Sequence, residues 1–365
     1  MNEKITALAR AHIAGREDIY DPAAPYPFDI WAEMGRAGML GLGLPREYGG
    51  GGMGYAGLVA ACAAFVEAGR NPGLASGWLS HTLIGRLILA QSGSAEQKQS
   101  YLPRLASGEL TAAVAISEPN AGAHPKRLAA TARRDGDFWV LNGEKAWLTN
   151  GPIAGLYIVL AISEQVGDRK QFSAYLVPRD TPGLSQTDAG AVDFLRPTRH
   201  GGLHLKDVRI PAANLLGPLG QAFETISKPL REVEDVLGLG MGQGGRAALL
   251  DLLRQSIEGA GITPSDAQFG QIGALLAAQS ALQILTAELA AGLDRHGPDP
   301  TAALLAARRL SRQFLTDFDI CLKSLQLPEN IELLRLFRDL TKSGGLASNI
   351  DRAKEEKLGK SLVRD

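Results

Sequence analysis

The sequence predicts an α+β protein in which a β layer separates two helical regions, and three observations carry that prediction. Residues 1–113 keep apolar residues at helical spacing, interrupted only at the glycine- and proline-bearing stretches "REYGGGGMG" and "AGRNPG". Residues 114–218 change texture to short runs such as "DFWVLNG", "LYIVLAIS" and "FSAYLVP", each bounded by turn residues. Over 219–365 helical periodicity returns, from "AFETISKPLREVEDVLGLG" to "IELLRLFRDL". Helices and strands in separate blocks exclude a repeating βαβ plan.

Composition fits these elements to one class of protein. With 365 residues and 45% apolar content the chain can bury a substantial core. Thirty-eight basic and thirty-nine acidic residues leave a net charge of −1, so no field gathers nucleic acid or an anionic membrane surface. Cys62 and Cys321 stand far apart and form no disulfide framework, in keeping with a reducing compartment. The opening "MNEKITALARAHIAGREDIY" interrupts its apolar residues with charges, which marks an amphipathic helix and not a signal peptide. The apolar stretch "GALLAAQSALQILTAELAAGL" carries Gln279, Ser280, Gln283 and Glu288, which lipid would leave unpaired. A cytoplasmic protein with no membrane or nucleic-acid partner is the expectation.

Within "REVEDVLGLGMGQGGRAALL", Gly240, Gly242 and Gly245 spell G-x-G-x-x-G. A dinucleotide loop needs an apolar strand before its first glycine, and "REVEDV" is not one, so these glycines read as close-packing positions between helices. At 100° per residue Leu230, Val233, Leu237 and Met241 form one stripe, and Glu234 falls inside it. A carboxylate on a core-facing stripe has a raised pKa or a partner, and the former suits a general base. The other reading opens the helix at Pro229 with Ser227 near its cap, so that the acidic residues complement the helix dipole.

His200 and His204 lie in "RHGGLHLKDVRIP", a turn and strand, where a four-residue spacing does not converge two rings on a metal. No metal site, nucleophile elbow, Walker loop or zinc-protease motif is present. Two polar segments stand beside predicted strands: "AISEPNAGAHP", from Ala115 to Pro125, and "LNGEKAWLTNG", from Leu141 to Gly151. Ser117 and a turn at Gly122 in the first, with the Trp147 face beside the Thr149 hydroxyl in the second, suit a planar heterocycle. Composition alone equally allows hairpin turns around a buried tryptophan.

These two segments, together with "WAEMGRAGMLGLGLPREYGG" and "DVRIPAANLLGPLGQAF", resemble the flavin-dependent acyl-CoA dehydrogenase family in order and spacing. The first loop is similar to the family's T-E-P-x-A-G-S-D element and the second to its K-x-W-I-T-N element. The resemblance implies an N-terminal α domain (1–113), a middle β domain (114–218) and a C-terminal four-helix bundle (219–365). It also implies FAD as cofactor, contacted by Ser117, Gly122, Trp147 and Thr149. An acyl-CoA thioester would be the substrate, with an electron-transfer flavoprotein among the partners it admits. Arg196 and Thr198 match the family's R-x-S pair.

The departures fall on flavin and base positions. Ala123 replaces a serine and His124 an aspartate. "EGAGIT" lacks the arginine and phenylalanine of R-x-x-F-G, and "QLPENIELLRLFRD" lacks the glycines of Q-x-x-G-G-x-G-Y. Ala347 occupies the usual base position, and the alternative position, on the first helix of the C-terminal bundle, aligns with Glu234, followed by Asp235 in place of arginine. The implied function is FAD-dependent α,β-dehydrogenation of an acyl-CoA with Glu234 as candidate base. The chain would work in a homo- or hetero-oligomer with a related chain, because the elements lost are those that reach a neighbouring subunit. The alternative is a catalytically silent homologue that serves as a structural or acyl-CoA-binding subunit.

Overall fold

The computed structural model describes residues 2–364. Helices α1 (Asn2–His12), α2 (Phe28–Arg36), α3 (Tyr55–Gly69), α4 (Pro72–Leu83), α5 (Ala90–Ser92) and α6 (Ala95–Ser107) precede the strands. The strands are β1 (Ala112–Ala115), β2 (Thr131–Asp135), β3 (Phe138–Thr149), β4 (Leu156–Val166), β5 (Arg169–Pro178), β6 (Leu184–Thr187), β7 (His200–Pro211) and β8 (Leu215–Leu216). Then follow α7 (Lys228–Ala260), α8 (Asp266–Asp294), α9 (Thr301–Leu325), α10 (Ile331–Gly345) and α11 (Ser348–Arg364). This is the predicted α+β order.

Local chemistry sets the boundaries. Helix α3 ends where Arg70 turns left-handed, two residues before Pro72. Ser94 and Gln97 form a reciprocal capping box at the start of α6, and Ser265 and Gln268 do the same for α8. The strands form one sheet in the order β6-β7-β3-β2-β4-β5-β8, with β1 parallel to β4. Tyr157, Val159, Leu141 and Leu203 are wholly buried in its core. Trp139 and Tyr175 meet there with ring centres 5.2 Å apart and their planes tilted by 59°.

The chain divides into two compact units: residues up to Arg16 with Gly54–Ala75 and everything from Asp235 onward, and Glu17–Met53 with Ser76–Glu234. In the first, α7 lies against α3 through its glycines. A Cβ on Gly240 would sit 2.7 Å from the Val59 carbonyl oxygen, one on Gly244 would overlap the Ala63 carbonyl, and one on Gly245 would meet Leu340 at 2.6 Å. The G-x-G-x-x-G stretch is therefore a helix-packing surface. By length and composition α8 is apolar enough to cross a membrane. Its buried Gln279 nonetheless accepts from Arg246 Nε at 2.9 Å, while Arg246 Nη1 donates to Ser311 at 2.8 Å. Asp235 accepts from Arg308 at 2.6 Å and Lys354 at 3.1 Å, and Asp351 from Arg308 and Arg312 at 2.7 and 2.8 Å, which ties α7, α9 and α11 together.

One expectation is corrected. The helix carrying Glu234 does not open at Pro229; helical backbone begins at Ala222 and runs through a π turn, Phe223–Ser227, into α7. The wider turn accommodates Pro229, which has no N–H to return to the preceding turn. Glu232, Glu234 and Asp235 consequently lie in the helix interior, beyond the first turn where the helix dipole acts.

Close packing at Gly244 yields a test. Gly244→Val forces α7 away from α3 and should lower stability by about 1–3 kcal/mol, measured as a reduced denaturant midpoint with an unchanged m-value. Gly259→Ala, where a Cβ meets nothing within 4 Å, should raise it slightly or leave it unchanged.

Candidate functional site

The site grows from the two polar segments, both within the second unit. After β1 the chain leaves the sheet and folds on itself, with the Glu118 N–H donating to the Gly122 carbonyl at 3.0 Å and Gly122 returning the bond at 3.0 Å. Asn120 and Gly122 hold this turn with φ of 61° and 56°. Glu118 points inward and is buried. Its carboxylate accepts from the backbone N–H groups of Ala129 at 2.7 Å and Ala130 at 2.9 Å, and from Lys145 Nζ at 2.9 Å.

Lys145 is wholly buried on β3 and also donates to the Ile116 carbonyl at 3.1 Å. The Ala146 N–H donates to the Ser117 carbonyl at 3.0 Å. One ion pair and two backbone contacts thus fasten the first segment to the second. Burial pulls the Lys145 pKa down, and the charge and hydrogen bond of Glu118 oppose that pull.

Just beyond this anchor β3 breaks register with β7 between Lys145 and Leu148. The bulge turns Trp147 left-handed, at φ 60°, and leaves 47% of it exposed. Its N–H donates to the Ala189 carbonyl at 3.1 Å, and a Cβ on Gly190 would collide with the Trp147 ring. A large aromatic side chain held in a strained conformation, one edge supported and one face open, is a platform and not a core residue. Thr149 follows on the same strand, paired with His200. Burial pushes the His200 pKa down to about 4, so this ring is neutral at pH 7.

Ser117, Trp147 and Thr149 line a single cavity of about 140 Å³. Its other wall is helical: Ser80 and Leu83 from α4, then Ser227, Leu230, Arg231 and Glu234 along the helix that follows the sheet. A π turn adjoins the lining residues on each helix, Ile84–Leu89 beside Leu83 and Phe223–Ser227 at Ser227. The Ser80, Ser117, Thr149 and Ser227 hydroxyls and the Arg231 guanidinium make no hydrogen bond among the described residues. Four hydroxyls and one cation with unspent capacity around one cavity are suited to hold a polar ligand.

Of the residues singled out in the sequence, Ser117, Trp147, Thr149 and Glu234 therefore share one site. Gly122 is adjacent: its neighbour Ala123 lines the cavity, and open space surrounds the Gly122 α-carbon. Glu234 requires a correction. Its angle on the helical wheel falls within the core-facing stripe, yet Leu230, Val233 and Leu237 are buried while Glu234 is exposed at the stripe's edge and lines the cavity. Sequence reasoning missed the Glu118–Lys145 anchor and the roles of Ser80, Ser227 and Arg231. Both members of the anchor stood in the quoted segments, whereas nothing local marks Ser80 on a helix far upstream. Among the described residues no cluster of His, Cys, Asp and Glu could hold a metal ion.

A flavin ring fits the residues present. The exposed Trp147 face and the unspent Ser117 and Thr149 hydroxyls match a flat heterocycle with hydrogen-bonding edges, while Ala123 offers no side-chain hydrogen bond.

Comparison with known proteins gives the family and the fold. The model of the acyl-CoA dehydrogenase N-terminal domain matches residues 1–109, and that of the acyl-CoA dehydrogenase middle domain matches residues 113–208. A probable acyl-CoA dehydrogenase of Bacillus subtilis, YngJ, is 34% identical over 225 residues, covering 61% of this chain and 59% of the relative. The chain is thus matched over about three-fifths of that relative's length. The crystal structure of the prolyl acyl carrier protein oxidase AnaB superposes with a TM-score of 0.86 at 23% identity, covering 98% of this chain and 97% of that one. PigA, solved with FAD and proline, gives 0.86 at 20% identity, covering 99% and 96%. At these identities the two structures speak to the fold.

Two tests follow from the site. Glu118→Gln leaves the Lys145 charge buried without its partner and should lower stability by about 3–5 kcal/mol, with much of the loss recovered in Glu118→Gln/Lys145→Met, a double-mutant cycle read by denaturant titration. His200 binds a proton near pH 6.5 when unfolded but only near 4 when folded. Below 6.5 the unfolded chain therefore holds more protons, and stability present above that value is lost as pH falls toward 4. The change is about 3 kcal/mol at most, and His200→Gln should flatten it in urea midpoints between pH 7 and 4.5.

Proposed function

Because the chain belongs to the acyl-CoA dehydrogenase family, we propose that it dehydrogenates the α,β-bond of an acyl thioester with FAD as cofactor and Glu234 as base. The observation that carries this reading is the shared cavity: Glu234 lines the same space as Ser117, Trp147 and Thr149. A base and a ring platform around one cavity is the arrangement such chemistry needs, since proton and hydride leave opposite faces of the substrate.

Ser117, Gly122, Trp147 and Thr149 would hold the ring, Trp147 through its exposed face and Ser117 and Thr149 through their hydroxyls. When bound, FAD supplies the two-electron acceptor for hydride from the β-carbon. The Glu234 carboxylate takes the α-proton, and the electron pair of the broken α-C–H bond becomes the new double bond. Glu234 is exposed and lines the cavity, which brings its carboxylate within reach of a thioester bound there. His200, neutral beside Thr149, adds no positive charge next to the ring edge.

A related chain completes the cofactor site in this reading. "EGAGIT" closes α7 with Gly261 left-handed and Ile262 exposed, offering no cation for phosphate. Helix α8 in turn presents Phe269, Leu276 and Ile284 to solvent, all more than half exposed, as an uncovered apolar face suited to another subunit. A second reading, a silent acyl-CoA-binding homologue, is favoured by one observation: Ala347 stands where the family's usual base would be.

The flavin spectrum separates the two readings. Made alone, the chain should carry substoichiometric FAD, rising toward one per chain with its related subunit. Acyl-CoA should then bleach the flavin, and Glu234→Gln should abolish bleaching by at least about 100-fold while keeping FAD. An unmutated protein that binds acyl-CoA with FAD in place and never bleaches is the silent homologue.

A further inference from the structure

Asn150 follows Thr149 directly and is not one of the residues that line the cavity, yet it is wholly buried and left-handed, at φ 63°. Its side chain crosses to α4. The Asn150 Nδ2 donates to the Gly77 carbonyl at 2.9 Å, while the Asn150 N–H donates to the Arg199 carbonyl at 3.0 Å. Oδ1 is buried and makes no hydrogen bond among the described residues. A buried acceptor without a donor costs stability, so stability alone does not account for an amide at this position.

The helix comes close at the same point. A Cβ on Gly77 would sit 2.6 Å from Thr198 Oγ1 and 2.9 Å from Asn150 Oδ1, so α4 meets the end of β3 and the segment before β7 at a spacing that leaves no room for a side chain. Gly77, Asn150 and Thr198 all belong to the second unit. Ser80 and Leu83, the residues of α4 that line the cavity, lie roughly 60° and 120° round the helix from Gly77, on the side away from Trp78 and His81. Trp78 Nε1 donates to the Met39 carbonyl at 3.0 Å and His81 Nε2 meets the Leu105 carbonyl at 2.9 Å, so these two hold the far side of α4. The Asn150 bond holds the flank next to the cavity.

One residue thus joins strand to helix where each contributes a hydroxyl: Thr149 precedes Asn150 in the chain, and Ser80 stands three residues beyond Gly77. We infer that Asn150 is a positioning residue of the ring site, which sets the separation of the Thr149 and Ser80 hydroxyls across the cavity and with it the seat of the flavin. Gly77 is its counterpart on the helix, and Thr198 is the side chain against which α4 stops. The inference rests on the FAD reading above.

Three variants test it. Asn150→Gly removes the amide and keeps the left-handed turn, whereas Asn150→Asp keeps the shape and turns a carboxylate oxygen toward the Gly77 carbonyl. Gly77→Ala displaces α4 with Asn150 in place. FAD binding to the apoprotein, with its related subunit where that is needed, is titrated by calorimetry, and the visible spectrum of the bound flavin is recorded. Each variant should raise the FAD Kd by about 10-fold and shift the flavin absorption maxima. Tyr157→Phe supplies the contrast, since it removes a bond that does not involve α4, donated by Tyr157 Oη to the carbonyl of neighbouring Gly151 at 2.9 Å. It should lower the denaturant midpoint and leave Kd and spectrum as they are in the unmutated protein. Asn150 variants that behave like Tyr157→Phe, destabilised with Kd and spectrum unchanged, overturn the inference and leave the FAD reading standing. If neither Asn150 variant folds, Gly77→Ala decides by the same two readouts. An unmutated chain that binds no FAD, with or without its related subunit, overturns both.

Discussion

The ion pair between Glu118 and Lys145 is the constraint on which the site depends. A carboxylate and an ammonium are withdrawn from water together, and each is tied further, the carboxylate to two backbone N–H groups and the ammonium to a carbonyl. An ion pair so enclosed contributes little net stability relative to an apolar pair, but breaking one half leaves a buried charge. Its effect is therefore positional. It sets where the segment after β1 lies against β3, and with it the positions of Ser117 and of the residues that follow Lys145.

Strain is stored immediately beyond this anchor. Trp147 takes a left-handed conformation that a bulky side chain disfavours, and the bulge in β3 with the supporting loop at Ala189 and Gly190 keeps it there. Both helices that complete the cavity carry a π turn at the point where they line it. Three departures from regular backbone thus surround one small space. Each forgoes some local stability, and together they turn a strand and two helices toward a common ligand.

The first unit carries different physics. Its glycines bring α7 against α3 at distances that no side chain would permit, and its charges are spent in a closed network around Asp235 and Asp351. Asp235, directly after the candidate base in sequence, is paired with Arg308 and Lys354.

Much of the molecule could be read from the sequence because it depends on neighbours along the chain. Apolar spacing, capping residues and turn residues dictated helices before and after a strand-rich middle, and the missing strand before Gly240 ruled out a phosphate loop. The two polar segments beside strands marked Ser117, Trp147 and Thr149 for the same reason. Periodicity failed at Glu234, since a helical wheel gives an angle and not what lies opposite it; at the margin of a stripe, packing of the facing side chains decides between core and cavity. Pro229 misled similarly, because only the π turn before it shows how the helix bypasses a missing N–H. The pairing of Glu118 with Lys145, and the meeting of Ser80 with Ser227 and Arg231, join residues far apart in sequence. Local propensity thus determined the elements and the candidate loops, while the buried charge pair and the composition of the cavity were decided only by tertiary structure, where desolvation and long-range contact first act.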